Sequence, residues 1–152
     1  MIRFAAAFGL IAAPAAAVTV DDCLDHRSDA AAIMEPWDDN TATYANDRIR
    51  IAVMDGIEPA AGALHIMVLS PPFDELGSRQ CKIISYDEHQ GFAAIWFNER
   101  SADYNPATGL TVTLPVQFWL PDLSFTNSAQ LAITINQSTG DVTTDFTVGG
   151  AE

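Results

Sequence analysis

The chain predicts a mainly β protein: an antiparallel β-sandwich or small open barrel of about seven strands with one N-terminal helix. Three observations predict it. From residue 48 onward apolar and polar residues alternate, most clearly where Leu110, Val112, Leu114, Val116, Phe118 and Leu120 share one face. Turn signals such as Asn105-Pro106-Ala107-Thr108-Gly109 separate these runs. Helical spacing occurs only before residue 36.

Residues 1–17, MIRFAAAFGLIAAPAAA, have the parts of a secretory signal: Arg3, an apolar run, and small residues ending in Ala15-Ala16-Ala17. The apolar run is about half the roughly 20 residues a membrane-spanning helix needs. Cleavage before Val18 is therefore expected, leaving one β-rich domain over 18–152. Asp22 directly before Cys23 argues against lipid attachment. Heavy use of Ala, with Lys82 as sole lysine, matches a GC-rich bacterial genome. The expected location is periplasmic or secreted.

Thr19-Val20-Asp21-Asp22 reads as a capped helix start, because Thr19 can cap and the aspartates suit the helix dipole. Val20, Cys23, Leu24, Ala30, Ala31 and Met34 then keep roughly helical spacing until Pro36. The polar run from Trp37 to Asp47 reads as a loop. Ile49, Ile51 and Val53 alternate as a strand, and 62–69 is apolar enough for a central one. Pro71-Pro72 is expected to stop it, with loop over 73–78. Residues 80–86 and 92–98 read as a hairpin around Asp87 to Gly91. The strand over 110–120 contains Pro115, which suggests an edge or a bulge. Residues 131–135 and 142–148 form the last hairpin.

Two cysteines in an exported chain predict one disulfide, Cys23 to Cys81, fastening the N-terminal segment to the sheet. Cys23-x-x-His26 has the spacing of half a zinc site, with Asp21, Asp22 and Asp25 nearby, yet no second close pair completes it. No metal site is predicted. No nucleotide-binding glycine loop is present, so no cofactor is implied. Asp38-Asp39-Asn40 and Asp103-Tyr104-Asn105 lack the ligand pattern of an EF-hand and read as solvated turns.

The 20 acidic and 7 basic residues give a formal charge of −13, which repels nucleic acid and anionic membrane surfaces. It suits a cationic partner, weak divalent-cation binding, or simple solubility outside the cell, and a monomer is expected after signal cleavage. No G-x-S-x-G or H-E-x-x-H pattern marks a hydrolase. An enzyme would have to use His65, in an apolar strand, or His89, beside Asp87 and Glu88 at a hairpin tip. Their simpler readings are a core histidine and a solvated turn.

The favoured expectation is a non-enzymatic domain that binds a protein, peptide or glycan through one sheet face. Trp119 falls out of phase with the apolar stripe, on the side of Thr111, Thr113 and Gln117. Trp96 alternates with Phe97, so one of that pair faces outward. Exposed aromatic rings on a flat sheet stack against sugars and peptides.

Overall fold

The computed structural model describes residues 18–88 and 90–149. The expected signal segment and His89 lie outside them. Among the described residues ten strands form two five-stranded antiparallel sheets, which face each other as a sandwich.

The first sheet contains β1 (Thr19–Asp22), β2 (Thr41–Tyr44), β3 (Ile49–Asp55), β4 (Leu64–Phe73) and β5 (Arg79–Ser85), in the order β1-β5-β4-β3-β2. The second contains β6 (Ala94–Ile95), β7 (Ser101–Asn105), β8 (Gly109–Leu120), β9 (Phe125–Ile135) and β10 (Val142–Val148). Its order is β10-β9-β8-β6, with β7 also paired to β8. The alternation seen in the sequence sets the inner faces. Ile49, Ile51 and Val53 of β3 and Ile66 and Val68 of β4 meet Leu110, Val112, Leu114, Val116 and Phe118 of β8. All are buried, and their removal from water is the main force closing the sandwich.

The expected N-terminal helix is absent. Residues Thr19–Asp22 are instead strand β1, in register with β5 from Thr19 opposite Ser85 to Asp22 opposite Lys82. Val18 and Val20 also alternate with Thr19 and Asp21, so this stretch fits either period, and the open edge of β5 decides it. Asp22 is no capping residue; it accepts a hydrogen bond from Lys82 Nζ at 2.7 Å. Two short 3-10 turns follow, His26–Ser28 and Ala30–Ala32. Asp25 caps the first by accepting from the Arg27 backbone N–H. Leu24, given an apolar position in the expected helix, is 88% exposed.

The disulfide is present, with the two Cα atoms 5.4 Å apart. It closes the end of the β1–β5 ladder, where the Cys23 N–H also reaches the Cys81 carbonyl at 3.3 Å. Beyond it, Ala32 and Ile33 pack onto Ala52, Met54, Met67 and Ile83, which point away from the sandwich core. The first sheet is thus covered on its outer face by a tethered strap rather than a helix.

The connections also differ from those expected. The expected loop over 37–47 contains a helical turn, Trp37–Asn40, and strand β2, whose Thr and Tyr residues favour strands. Pro71-Pro72 do not stop β4, which runs on to Phe73 through a register shift. Residues 92–98 do not return beside β5: Phe92 bridges to Leu64, and β6 pairs with β8 in the other sheet. Asp103-Tyr104-Asn105, expected as a solvated turn, instead belong to strand β7, which forms a hairpin with β8 around the expected Asn105–Gly109 turn.

Pro115 lies neither on an edge nor at a bulge. The neighbouring strand is interrupted there, since β6 pairs with Val116 and Gln117 and β7 stops at Thr113. The proline's missing N–H therefore faces a gap, while its carbonyl still accepts from the Trp96 N–H at 3.1 Å.

Candidate functional site

Two places gather the residues singled out by sequence, and they lie on opposite outer faces of the sandwich. The first is the open face of β8 and β9. Phe118 is buried inward, so the strand alternation turns Trp119 outward, where it is half-buried. Register aligns Trp119 with Thr126 and Gln117 with Ser128 and Ala94 on this face. The Gln117 Nε2 reaches Ser128 Oγ at 3.5 Å. Trp96, also half-buried, lines a shallow depression of about 310 Å³ with Pro115, Ser128 and Gln130, all from the same face. Trp96, Gln117 and Trp119 therefore follow one another along a single surface. From Pro115 to Trp119 the strand spans about 13 Å.

This surface is rich in hydroxyls and carries no cation. Thr111, Thr134 and Thr143 align across three strands, with the Thr111 and Thr134 hydroxyls 2.9 Å apart. No lysine or arginine follows Arg100 in the chain. The ring next to Trp96 behaves oppositely, as Phe97 is buried.

The second place is a cleft of about 340 Å³ at one end of the strapped face, built from the turn after β1, the β3–β4 connection and the turn after β5. His65 forms its floor and is only 7% exposed. On β4 it faces the same way as Met67, away from the core, because Ile66 and Val68 face inward. The register that sets Ile66 opposite Ile84 brings Ser85 beside it. The Ser85 Oγ lies 2.8 Å from His65 Nδ1 and accepts from Arg27 Nη1 at 3.0 Å. Arg27 in turn grips Asp25 through Nε and Nη2 at 2.8–3.0 Å and lies 3.7 Å from Asp21.

Burial pushes the His65 pKa down from 6.5 to about 4, assisted by the Arg27 charge. The hydrogen bonds from Arg27 hold the Asp25 carboxyl down at about 2. At neutral pH the floor of the cleft is thus a neutral imidazole. Ser85 is completely enclosed, which makes it a positioning partner of His65 rather than a nucleophile open to substrate. Glu58 and Glu88 stand exposed at the rim.

Sequence reasoning named His65 but missed Ser85 and Arg27. Their 20- and 38-residue separations from His65 carry no local pattern; only the β4–β5 register and the strap's path join them. His26 lines the same cleft, whereas Cys23 is committed to the disulfide, so the half-zinc spacing does not assemble. Among the described residues no three potential metal ligands converge.

The fold and these surfaces define a class: a disulfide-bonded two-sheet antiparallel sandwich with one strapped and one open face. Comparison with known proteins takes this no further, as no family model, curated protein or solved structure matches the chain.

Proposed function

We propose that this is an exported, periplasmic binding domain that holds a neutral glycan against the open face of β8 and β9. The observation that carries the reading is the run Trp96, Gln117, Trp119 along one uncovered surface. Indole rings offer apolar platforms to the C–H face of a sugar, while the Gln117 amide and the Thr126 and Ser128 hydroxyls, in register beside them, suit its hydroxyl groups. The absence of Lys and Arg beyond Arg100 favours an uncharged chain over a sulfated or phosphorylated one. The disulfide fits an oxidising compartment, and no helix among the described residues is long and apolar enough to cross a membrane.

The test is co-sedimentation with insoluble cellulose, chitin and xylan, followed by titration with soluble oligosaccharides of whichever is bound. Binding to at least one is expected, with Trp119→Ala weakening it roughly tenfold or more, as for loss of an aromatic anchor. Failure of the wild type to bind any of the three, or undiminished binding by both Trp119→Ala and Trp96→Ala, overturns the reading.

A further inference from the structure

The His65 cleft is a second site, on the other sheet from Trp119, although cleft-lining Gln90 donates from Nε2 to the Trp119 carbonyl at 3.2 Å. Hydrogen-bond accounting fixes what it offers. Ser85 Oγ has two partners among the described residues, Arg27 Nη1 and His65 Nδ1. Arginine only donates, so the enclosed hydroxyl hydrogen of Ser85 has Nδ1 as its acceptor. A neutral imidazole that accepts at Nδ1 carries its proton on Nε2. That nitrogen lies on the Gly56 side of the ring, since a Cβ added at Gly56 would sit 3.9 Å from it, and Gly56 lines the cleft. No described residue accepts from Nε2; His65 is only 7% exposed, yet among the described residues no buried side-chain nitrogen or oxygen lacks a partner, so this nitrogen is where the ring meets the solvent of the cleft. The chain Arg27, Ser85, His65 is thus a polarised relay ending in an unpartnered N–H donor aimed into the cleft.

Charge at the rim selects for the opposite end of a ligand. Asp25, Glu58 and Glu88 face one cation, Arg27, which Asp25 already engages twice. Glu58 and Glu88 have no ion-pair partner among the described residues. A metal ion is disfavoured, because protonated Nε2 has no lone pair to give and among the described residues no three ligands converge. An anion would meet the two rim carboxylates. We propose that the cleft binds a small organic cation carrying a hydrogen-bond-accepting oxygen beside its charged nitrogen. The oxygen accepts from His65 Nε2, and the ammonium group lies between Glu58 and Glu88. The terminus of a peptide and an amino sugar both present this chemistry.

The experiment follows the His65 ring by 15N NMR in the full chain while glycinamide or glucosamine is added at millimolar concentration, with acetate and zinc as controls. The free protein is expected to report the proton on Nε2, and at least one amine to shift that signal. Glycinamide alone identifies a peptide-like source; glucosamine alone identifies an amino sugar. Glu58→Gln and Glu88→Gln, at exposed positions that leave the fold intact, should each weaken binding roughly two- to fivefold, as for a partly solvated ion pair. Gly56→Ala, which sets a methyl 3.9 Å from Nε2, should weaken it; the methyl also comes 3.3 Å from the Ala63 carbonyl, so the variant's unfolding midpoint is measured alongside. A proton on Nδ1, no response to either amine, wild-type affinity in both Gln variants, or a stronger response to acetate or zinc overturns the proposal. None of these outcomes bears on polysaccharide binding by the opposite face.

Discussion

The two outer faces of this sandwich are made from sheets of equal strand number, yet one is covered and the other bare. On the first sheet, Ala52, Met54, Met67 and Ile83 make an apolar outer patch and need a lid. The strap over residues 23–34 supplies it, held by Cys23–Cys81 and by the Arg27–Ser85–His65 relay. On the second sheet the same positions are Thr111, Thr113, Gln117 and Ser128, which water satisfies, so nothing must cover them. The difference teaches that outward composition, not sheet architecture, separates a structural face from one available to a ligand. Only against a polar background does a half-exposed Trp119 call for explanation.

The sharpest way to break this contrast is to cut the tether. Replacing both Cys23 and Cys81 by Ser removes a 58-residue crosslink. The chain-entropy model then gives a loss of about 4 kcal/mol as an upper figure. Against a typical total of roughly 5–15 kcal/mol, that is a large fraction. Urea denaturation of the double variant should show it, together with binding of a hydrophobic dye to the uncovered Met54 and Met67. An unchanged midpoint would mean that the strap is held by packing alone and that the disulfide is incidental to the cover.

Acid offers a gentler probe of the same face. His65 titrates near 4 when folded against 6.5 when unfolded, so between those values the unfolded chain binds more protons. Stability therefore falls as pH drops from about 6.5 to about 4, by an amount on the order of 2 kcal/mol. Asp25 works in a separate window, because its carboxyl is held at about 2; its contribution is lost only as pH falls from 3.8 toward 2. Relief of acidic self-repulsion acts the other way, so the difference between wild type and His65→Asn is the quantity to measure. Asn retains an acceptor near Nδ1 for Ser85 but does not titrate. Parallel pH profiles for the two proteins would remove His65 from the acid response.

How much of this was legible beforehand follows the range of the interactions. The β8 face was readable because one long strand records its environment at period two: Leu110 to Phe118 went in and Trp119 went out, as alternation requires. The disulfide was readable because two cysteines leave a single pairing. The N-terminal helix was misread because Val18 and Val20 satisfy both periods, and the deciding partner, the edge of β5, lies 60 residues away. Pro115 was misread for a related reason: a gap between β6 and β7 opens in the neighbouring strand, and no residue near Pro115 announces it. The relay below the cleft was the least legible, since Arg27, His65 and Ser85 are neighbours only after the sheet has formed.

The smallest expected effect on stability lies on the open face, and its smallness is the point. Trp119 is half-exposed and borders Gln117 and Thr126 rather than the core, so Trp119→Ala should change the unfolding free energy by less than about 1 kcal/mol. The same substitution is expected to remove most polysaccharide binding, and a large functional loss with a small stability loss is the signature of a residue kept for contact. Acrylamide quenching adds an independent readout. Trp119 and Trp96 should both be reached in the free protein, and both protected when the glycan is bound. A Trp119→Ala variant destabilised as severely as the disulfide variant would mean that the indole is a structural element. The two faces would then differ in composition but not in purpose.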